Sequence, residues 1–154
     1  MNKFMQLAID AAIEGMQKNM GGPFGAVIVL NDEVISIAHN EVIGTNDPTA
    51  HAEMVAIRRA TKILNRFNIS DCEIYSTCEP CPMCLSAIHW AGMTKLYFGA
   101  DRYDAAIGGF DDEFIYKIMD GTADSLLLKP EIIEKEKCAK LFKLWNQKLD
   151  RVQY

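Results

Sequence analysis

The chain has 154 residues, of which 49% are hydrophobic and 24% are charged, and its formal net charge is −5. This length predicts one domain that can bury a core without disulfide staples. The acidic balance weighs against a nucleic acid as partner, and no apolar run reaches the roughly 20 residues that span a bilayer. The polar N-terminus and five cysteines, three of them clustered, favour reduced thiols in a cytoplasmic protein with no membrane partner.

The first third of the chain predicts a helix followed by a hairpin. Residues 2–19 carry apolar side chains at helical spacing and predict an amphipathic helix, which the glycines and proline at 21–23 end. The apolar run at 24–30 predicts a buried strand. After an Asn31-Asp32 turn, residues 33–39 return beside it as a second strand.

The remaining segments alternate between helices, strands and loops. In chain order we predict a loop from residue 40, a helix from Pro48 or Thr49 to about Leu64, a strand at 72–77, a helix from Pro82 to about Ala91 and a strand at 95–100. There follow a loop at 101–109 that can hold a turn of helix, a helix at 111–119, a short strand or extended segment at 126–128 and a C-terminal helix. This alternation predicts a three-layer α/β/α sandwich with a central mixed five-stranded sheet.

Three cysteines follow one another at intervals of three, in the stretch TCEPCPMC. If Pro82 is the first helical residue, Cys81 is the N-cap and Cys84 lies one turn on, so that both sulfurs share a helix face. A helix N-terminus favours thiolates. Together with His51 the two cysteines form a ligand set that suits zinc.

The residues alone leave two kinds of zinc site open. If Cys78 also binds, four ligands close a structural site. If Cys78 does not bind, the fourth position is free for water and the protein is an enzyme. The position of Cys78 at the end of a strand favours this second kind of site. Glu53 lies about 200° from His51 around an ideal helix. It therefore suits the role of an acid–base group beside the metal better than that of a ligand.

The pattern H-x-E at 51–53 followed by P-C-x-x-C at 80–84 resembles the signature of the zinc-dependent nucleobase deaminases. The resemblance implies one zinc ion per chain, held by His51, Cys81 and Cys84, with water in the fourth position and Cys78 outside the ligand set. It implies that Glu53 carries a proton first to a ring nitrogen and then to the departing amine.

Further segments resemble the bacterial guanine deaminases of the cytidine-deaminase fold, over nearly the whole chain. They are GGPFGAVIV, NDPTAHAE, CEPCPMC, FDDEFIYK and a terminal tyrosine. The resemblance implies hydrolysis of guanine to xanthine and ammonia by a homodimer, with the C-terminal segment, about 132–154, exchanged between subunits. It implies these substrate contacts: Phe24 stacking on the base, Asn40 hydrogen-bonding it, Ala52 beside it, Trp90 lining the pocket, Asp112 contacting the purine and Tyr154 covering a partner's site.

Each of these positions also has a structural explanation. Phe24 and Trp90 can be core residues, Asn40 a turn residue, Asp112 a helix N-cap and Tyr154 a disordered terminus. The chemistry nevertheless suits a base, because an amide both donates and accepts, an ionised carboxylate accepts from purine N–H groups, and an aromatic face stacks on a planar ring.

Three rival functions remain. A tRNA adenosine deaminase shares the DPTAHAE and EPCPMC-like elements but needs a basic surface, whereas this chain has FDDEF. Cytosine or another small aminated heterocycle would suit the same chemistry. A non-catalytic zinc module would use the metal only to stabilise the fold.

Overall fold

The computed structural model describes residues 2–124 and 128–153. Contacts divide the chain into two compact units, Met1–Tyr116 and Lys117–Tyr154. The elements in chain order are α1 (Lys3–Gln17), β1 (Gly25–Leu30), β2 (Glu33–His39), α2 (Val42–Thr45), α3 (Ala52–Leu64), β3 (Glu73–Cys78), α4 (Pro82–Trp90), β4 (Lys95–Ala100), α5 (Arg102–Ile107), α6 (Glu113–Met119) and α7 (Lys135–Gln147).

The sheet has the strand order β2-β1-β3-β4. Strand β1 is antiparallel to both of its neighbours, and β3 is parallel to β4. Strands β2 and β3 therefore run in the same direction on either side of β1. The predicted antiparallel hairpin and the predicted mixed sheet are both confirmed.

The predicted number of five strands is wrong for the described residues, which form four. The fifth candidate was the apolar run at 126–128, of which 126 and 127 lie outside the described residues. Leu128 belongs to no strand and is 74% exposed. A run of three apolar residues is too short for its periodicity to distinguish a strand from other extended backbone.

Helices cover both faces of the sheet, which confirms the three-layer sandwich. Helix α1 packs on one face, and α3 and α4 pack on the other. On the first face, side chains of α1 pack against side chains of β1 and β3: Phe4 and Ala8 against Val27, Val29 and Tyr75. On the second face, side chains of α3 and α4 pack against the same two strands: Ala56, Ala60 and Ile88 against Ala26, Ile28 and Ile74. Strand β1 is buried on both faces, which explains its unbroken apolar run.

Helix boundaries differ from the prediction where polar side chains hold turns. Helix α3 begins at Ala52, four residues after Pro48, because Asp47 Oδ1 accepts hydrogen bonds from both the N–H and the hydroxyl of Thr49 and holds a turn there. Residues 42–45, expected in a loop, form the short helix α2. Residues 102–107, also expected in a loop, form α5, which a reciprocal capping box between Asp101 and Asp104 starts.

The second unit contains the predicted C-terminal helix, α7. Its apolar stripe is exposed: Leu141 by 63%, Phe142 by 73% and Trp145 by 37%. Among the described residues, no helix combines the length and the apolar character needed to cross a membrane.

Candidate metal centre and active site

Two helix N-termini form the centre of the site. His51 is the N-cap of α3, and Cys81 is the N-cap of α4, with Pro82 as the first helical residue as the sequence predicts. Both caps have extended backbone, and their side chains meet each other. The partial positive charge of both helix ends therefore acts on one point, where it stabilises thiolates and other anions.

The distances around this point fit a zinc ion. His51 Nδ1 lies 3.5 Å from Cys81 Sγ and 3.5 Å from Cys84 Sγ. A tetrahedral ion with Zn–S near 2.3 Å and Zn–N near 2.0–2.1 Å separates such atoms by about 3.6 Å. All three ligand atoms lie within 4.8 Å of one another. The structure thus brings the three predicted ligands together in a geometry that zinc can occupy.

Cys78 is outside this group. Its thiol is directed at the carbonyl oxygen of Asp101, 3.7 Å away. Burial raises the pKa of Cys78 to about 11, so it is a neutral thiol at pH 7. Three protein ligands leave a fourth tetrahedral position for water or substrate, which is the arrangement of catalytic zinc sites.

The ligand thiols differ in protonation. The hydrogen bond from the Cys84 thiol, followed by that from His51, lowers the pKa of Cys81 to about 4. The same contact with Cys81, together with burial, raises the pKa of Cys84. Without a metal, Cys81 and Cys84 thus form one coupled pair, in which the environment favours the thiolate of Cys81. Both must be thiolates when they bind zinc. The hydrogen bond of Cys81 to His51 raises the pKa of the imidazole.

Glu53 lies beside the ligands in the first turn of α3 and is 5% exposed. The hydroxyl of Ser76 donates to its Oε1 at 3.0 Å. Burial raises the pKa of Glu53 above its ordinary value. A carboxyl group with a raised pKa next to a metal centre can both accept and return a proton near neutral pH.

A cavity of about 210 Å³ opens onto these groups. Phe24 and Phe110 meet edge to face in its wall, with ring centroids 4.9 Å apart. Its lining residues, all in the first unit, are Phe24, His51, Glu53, Cys78, Glu79, Cys81, Arg102, Ala105, Phe110, Asp111, Asp112, Phe114 and Ile115. Such a pocket can hold a flat, largely apolar molecule that carries hydrogen-bond donors.

Two of the predicted substrate residues, Phe24 and Asp112, line this cavity with the metal ligands and Glu53. Asn40 lies next to the wall. Its backbone N–H donates to the Phe24 carbonyl at 2.9 Å, and its Oδ1 accepts from Val42 N–H at 3.1 Å. Asn40 is 6% exposed.

Of the other three predicted residues, Ala52 and Trp90 are not among the described residues that line the cavity. Ala52 is fully buried as the first residue of α3. Trp90 is 73% exposed at the far end of α4, about 13 Å along the helix axis from Cys81. Tyr154 lies outside the described residues. The roles of these three stay predictions.

Several lining residues were not found from the sequence. One of them is Arg102, whose backbone N–H donates to Glu79 Oε2. Its guanidinium forms cation–π contacts with the rings of Tyr103 and Tyr116. Phe110 belongs to the FDDEF segment but was not identified as part of the wall. Ser76, which is not a lining residue, was also not found, although a serine within a largely buried strand needs a hydrogen-bond partner.

Comparisons with known proteins agree with this geometry. The sequence profile of the cytidine and deoxycytidylate deaminase zinc-binding region matches residues 1–100. The chain is 42% identical to guanine deaminase of Bacillus subtilis (strain 168) over 98% of its own length and 97% of the relative's. The X-ray structure of guanine deaminase from Bacillus subtilis superposes with a TM-score of 0.93, covering 100% of this chain and 99% of that one, at 42% identity. A tRNA-specific adenosine deaminase of Aquifex aeolicus (strain VF5) is 36% identical over 95% and 93% of the two chains.

Proposed function

Since the chain belongs to the cytidine and deoxycytidylate deaminase family, we propose that it hydrolyses guanine to xanthine and ammonia at a zinc ion. The observation that carries the choice of guanine is the match in sequence and structure to a guanine deaminase over essentially the whole of both chains. The matched length includes the second unit as well as the zinc-binding region.

His51, Cys81 and Cys84 would hold the zinc ion. When bound, zinc supplies a Lewis acid that lowers the pKa of water, so that a nucleophile is available at neutral pH. Two thiolates and a neutral imidazole leave the ion little net positive charge. A nearby base is therefore needed to take the proton of the water.

Glu53 is that base. Its carboxylate accepts a proton from water and delivers it to a ring nitrogen of guanine. The water oxygen bonds to the carbon that carries the amino group. Glu53 then takes the second proton from the resulting hydroxyl and passes it to the amino group, so that the C–N bond breaks, ammonia leaves and the oxygen stays on the carbon as a carbonyl. The pKa of Glu53, raised by burial, makes its protonated form a competent acid for the second step.

Phe24 and Asp112 bind the base in this proposal. Phe24 presents its ring to the face of the purine. Phe110, in the same wall, contacts the ring of Phe24 edge-on. The carboxylate of Asp112 accepts hydrogen bonds from purine N–H groups. Burial, followed by the charge of Cys81, raises the pKa of Asp112, and the charge of Arg102 acts in the opposite direction. Asn40 adds amide hydrogen bonds from behind Phe24.

The charges of the cavity favour a free base over tRNA. Glu53, Glu79, Asp111 and Asp112 line it, and Arg102 is the one lysine or arginine among its described lining residues. Phosphate groups are bound by clusters of Lys and Arg. A neutral purine needs no such cluster.

We propose in addition that the chain is a homodimer in the cytoplasm and that the segment at about 132–154 is exchanged between subunits. The exposed stripe of Leu141, Phe142 and Trp145 supports this, because an amphipathic helix buries its apolar face against another surface. Light scattering should give twice the 17.3 kDa chain mass. A monomeric mass would refute the homodimer.

Deleting the last few residues, with Tyr154, should lower activity while the first unit stays folded. Unchanged kinetics after the deletion would refute a role of the last residues at the active site.

The deciding experiment is ammonia release by the zinc-loaded protein from guanine, with cytosine, adenine, guanosine and a tRNA anticodon stem-loop in parallel. Turnover of guanine alone supports the proposal. Turnover of the stem-loop with no reaction of guanine would identify the tRNA enzyme instead. If no substrate of the panel reacts while zinc is bound, the proposal of guanine is wrong, and a structural metal or a different aminated substrate is left.

A further inference from the structure

We propose that Ser76 is a positioning residue, which holds the carboxylate of Glu53 in the orientation needed for proton transfer. The inference rests on the proposed function, in which Glu53 carries the proton. Its basis is one hydrogen bond, in which Ser76 Oγ donates to Glu53 Oε1 at 3.0 Å. Ser76 is 1% exposed and Glu53 is 5% exposed, so water does not compete for this bond.

The position of Ser76 in β3 has no packing explanation. Side chains alternate along a strand, so Ile74, Ser76 and Cys78 share one face. Ile74 lies in the core beneath α3 and α4, and Cys78 lines the cavity. Ser76 lies between them, at a place where an apolar side chain would be usual. A buried hydroxyl costs free energy unless it is hydrogen-bonded, and its partner here is Glu53.

Ser76 becomes more important when the metal binds. Without a metal, the thiol of Cys84 also forms a hydrogen bond with the Glu53 carboxyl group. A cysteine that binds zinc does so as a thiolate and has no proton to donate. Among the described side chains, Ser76 then remains as the hydrogen-bond donor to Glu53 Oε1.

Fixing one carboxylate oxygen should affect the chemical step and leave substrate binding unchanged. A glutamate side chain has several rotatable bonds, and ordering it costs entropy in every turnover unless the fold has already done so. Ser76 is absent from the described cavity lining, so its loss removes no contact with guanine. We therefore expect kcat to fall while KM stays constant.

The test compares Ser76→Ala with Ser36→Ala. Ser36 is a matched control, because it is a buried serine of the same sheet, 5% exposed, whose hydroxyl donates to the Ala56 carbonyl of α3 at 2.9 Å. Ser76→Ala should lower kcat for guanine about tenfold, at unchanged KM and one zinc per chain. Ser36→Ala should change kcat less than twofold. Equal kcat values for the two variants would overturn the proposal.

Two further variants distinguish the loss of the hydroxyl from a defect in folding. Ser76→Cys fills the same space with a weak donor, and Ser76→Thr restores a hydroxyl on a residue type that strands accept. We expect kcat to rise in the order Ala, Cys, Thr. If the threonine variant is folded and zinc-loaded yet no faster than the alanine variant, the hydroxyl is not what positions Glu53.

A second readout needs no activity. Urea unfolding of the metal-free wild type, Glu53→Ala, Ser76→Ala and the double variant forms a double-mutant cycle. Non-additive free energies of unfolding are expected, and additive ones would overturn the contact. Turnover by Glu53→Ala at the wild-type rate would instead refute the proposed role of Glu53. Loss of turnover in Glu53→Ala with a normal kcat in Ser76→Ala would refute the role of Ser76 alone.

Discussion

His51 Nδ1 lies 3.5 Å from Cys81 Sγ, although the two residues are 30 positions apart in the chain. Each is the N-cap of its helix, so this contact joins the starting points of α3 and α4. A metal ion at this point would connect the two helices that form one layer of the fold. Zinc binding should therefore contribute to the stability of the protein as well as to its chemistry.

Removing zinc should lower the thermal unfolding midpoint. When free zinc exceeds its Kd a thousandfold, binding adds about 4 kcal/mol to the free energy of unfolding. For a chain of this size that corresponds to about 10 °C. Calorimetry before and after dialysis against a chelator measures the change. Adding zinc back should restore the midpoint, and a midpoint that is the same with and without the metal would contradict a site that joins α3 and α4.

Cys84→Ser should lose zinc, whereas Cys78→Ser should keep it. The sulfur of Cys84 belongs to the three-ligand group, while Cys78 is directed at the Asp101 carbonyl. Atomic absorption on the purified variants gives the zinc content per chain. The two substitutions are chemically identical and six positions apart, so each is the control of the other. Loss of zinc from both variants would point to a closed four-ligand structural site.

Glu53→Gln should abolish turnover, keep zinc and stabilise the metal-free protein. Burial raises the pKa of Glu53 above 4.5, so the folded state disfavours the ionised carboxylate. This destabilisation is absent below pH 4.5, grows as the pH rises towards the folded-state pKa, and is constant above it. The amide oxygen of Gln can still accept from Ser76.

The advantage of Glu53→Gln over the wild type in free energy of unfolding should therefore increase with pH from about 4.5 and then level off. Urea unfolding of both metal-free proteins at several pH values measures it. A difference that does not vary with pH would show that Glu53 has an ordinary pKa.

Asp112→Asn should lower kcat/KM for guanine by about 10- to 100-fold, the range expected for losing a hydrogen bond to a charged group. The new amide keeps one acceptor oxygen but replaces the other with an NH2 donor and removes the charge that strengthens hydrogen bonds from purine N–H groups. Asp111→Asn is the matched control, because Asp111 Oδ1 caps the N–H of Glu113 and asparagine caps equally well. Fluorescence titration with guanine in metal-free protein separates binding from turnover. A larger effect from Asp111→Asn would reverse the assignment of the two carboxylates.

Gly21→Ala should destabilise the protein and raise KM for guanine. A Cβ atom at position 21 would lie 2.0 Å from Asn40 Oδ1, so the amide would have to move and release its hydrogen bond from Val42 N–H. We expect a loss of about 1–3 kcal/mol in the free energy of unfolding. If the effect acts through Asn40, adding Gly21→Ala to Asn40→Ala should raise KM no further. Additive changes in KM would assign the glycine a separate role.

The sequence predicted best those features that depend on neighbouring residues. Pro82 predicted the start of α4 because its ring and missing N–H suit a first helical position, and Cys81 is the N-cap in consequence. The start of α3 was misplaced because the Asp47–Thr49 hydrogen bonds hold a turn where Pro48 could have begun a helix. Helix α2 was missed, and α5 was predicted only as a turn of helix within a loop, because such short segments show no periodicity.

The three zinc ligands could be predicted from the chain, since the spacing within 80–84 is local, the ligand chemistry restricts the metal and the motifs at 51–53 and 80–84 resemble a deaminase signature. The acid–base role of Glu53 stays a prediction. The wall formed by Phe24 and Phe110, the position of Arg102 and the contact between Ser76 and Glu53 join residues 23 to 86 positions apart. The pairing of β1 with β3 and of β3 with β4 brings such residues together. Local spacing carries no information on these contacts, because they depend on the order and register of the strands.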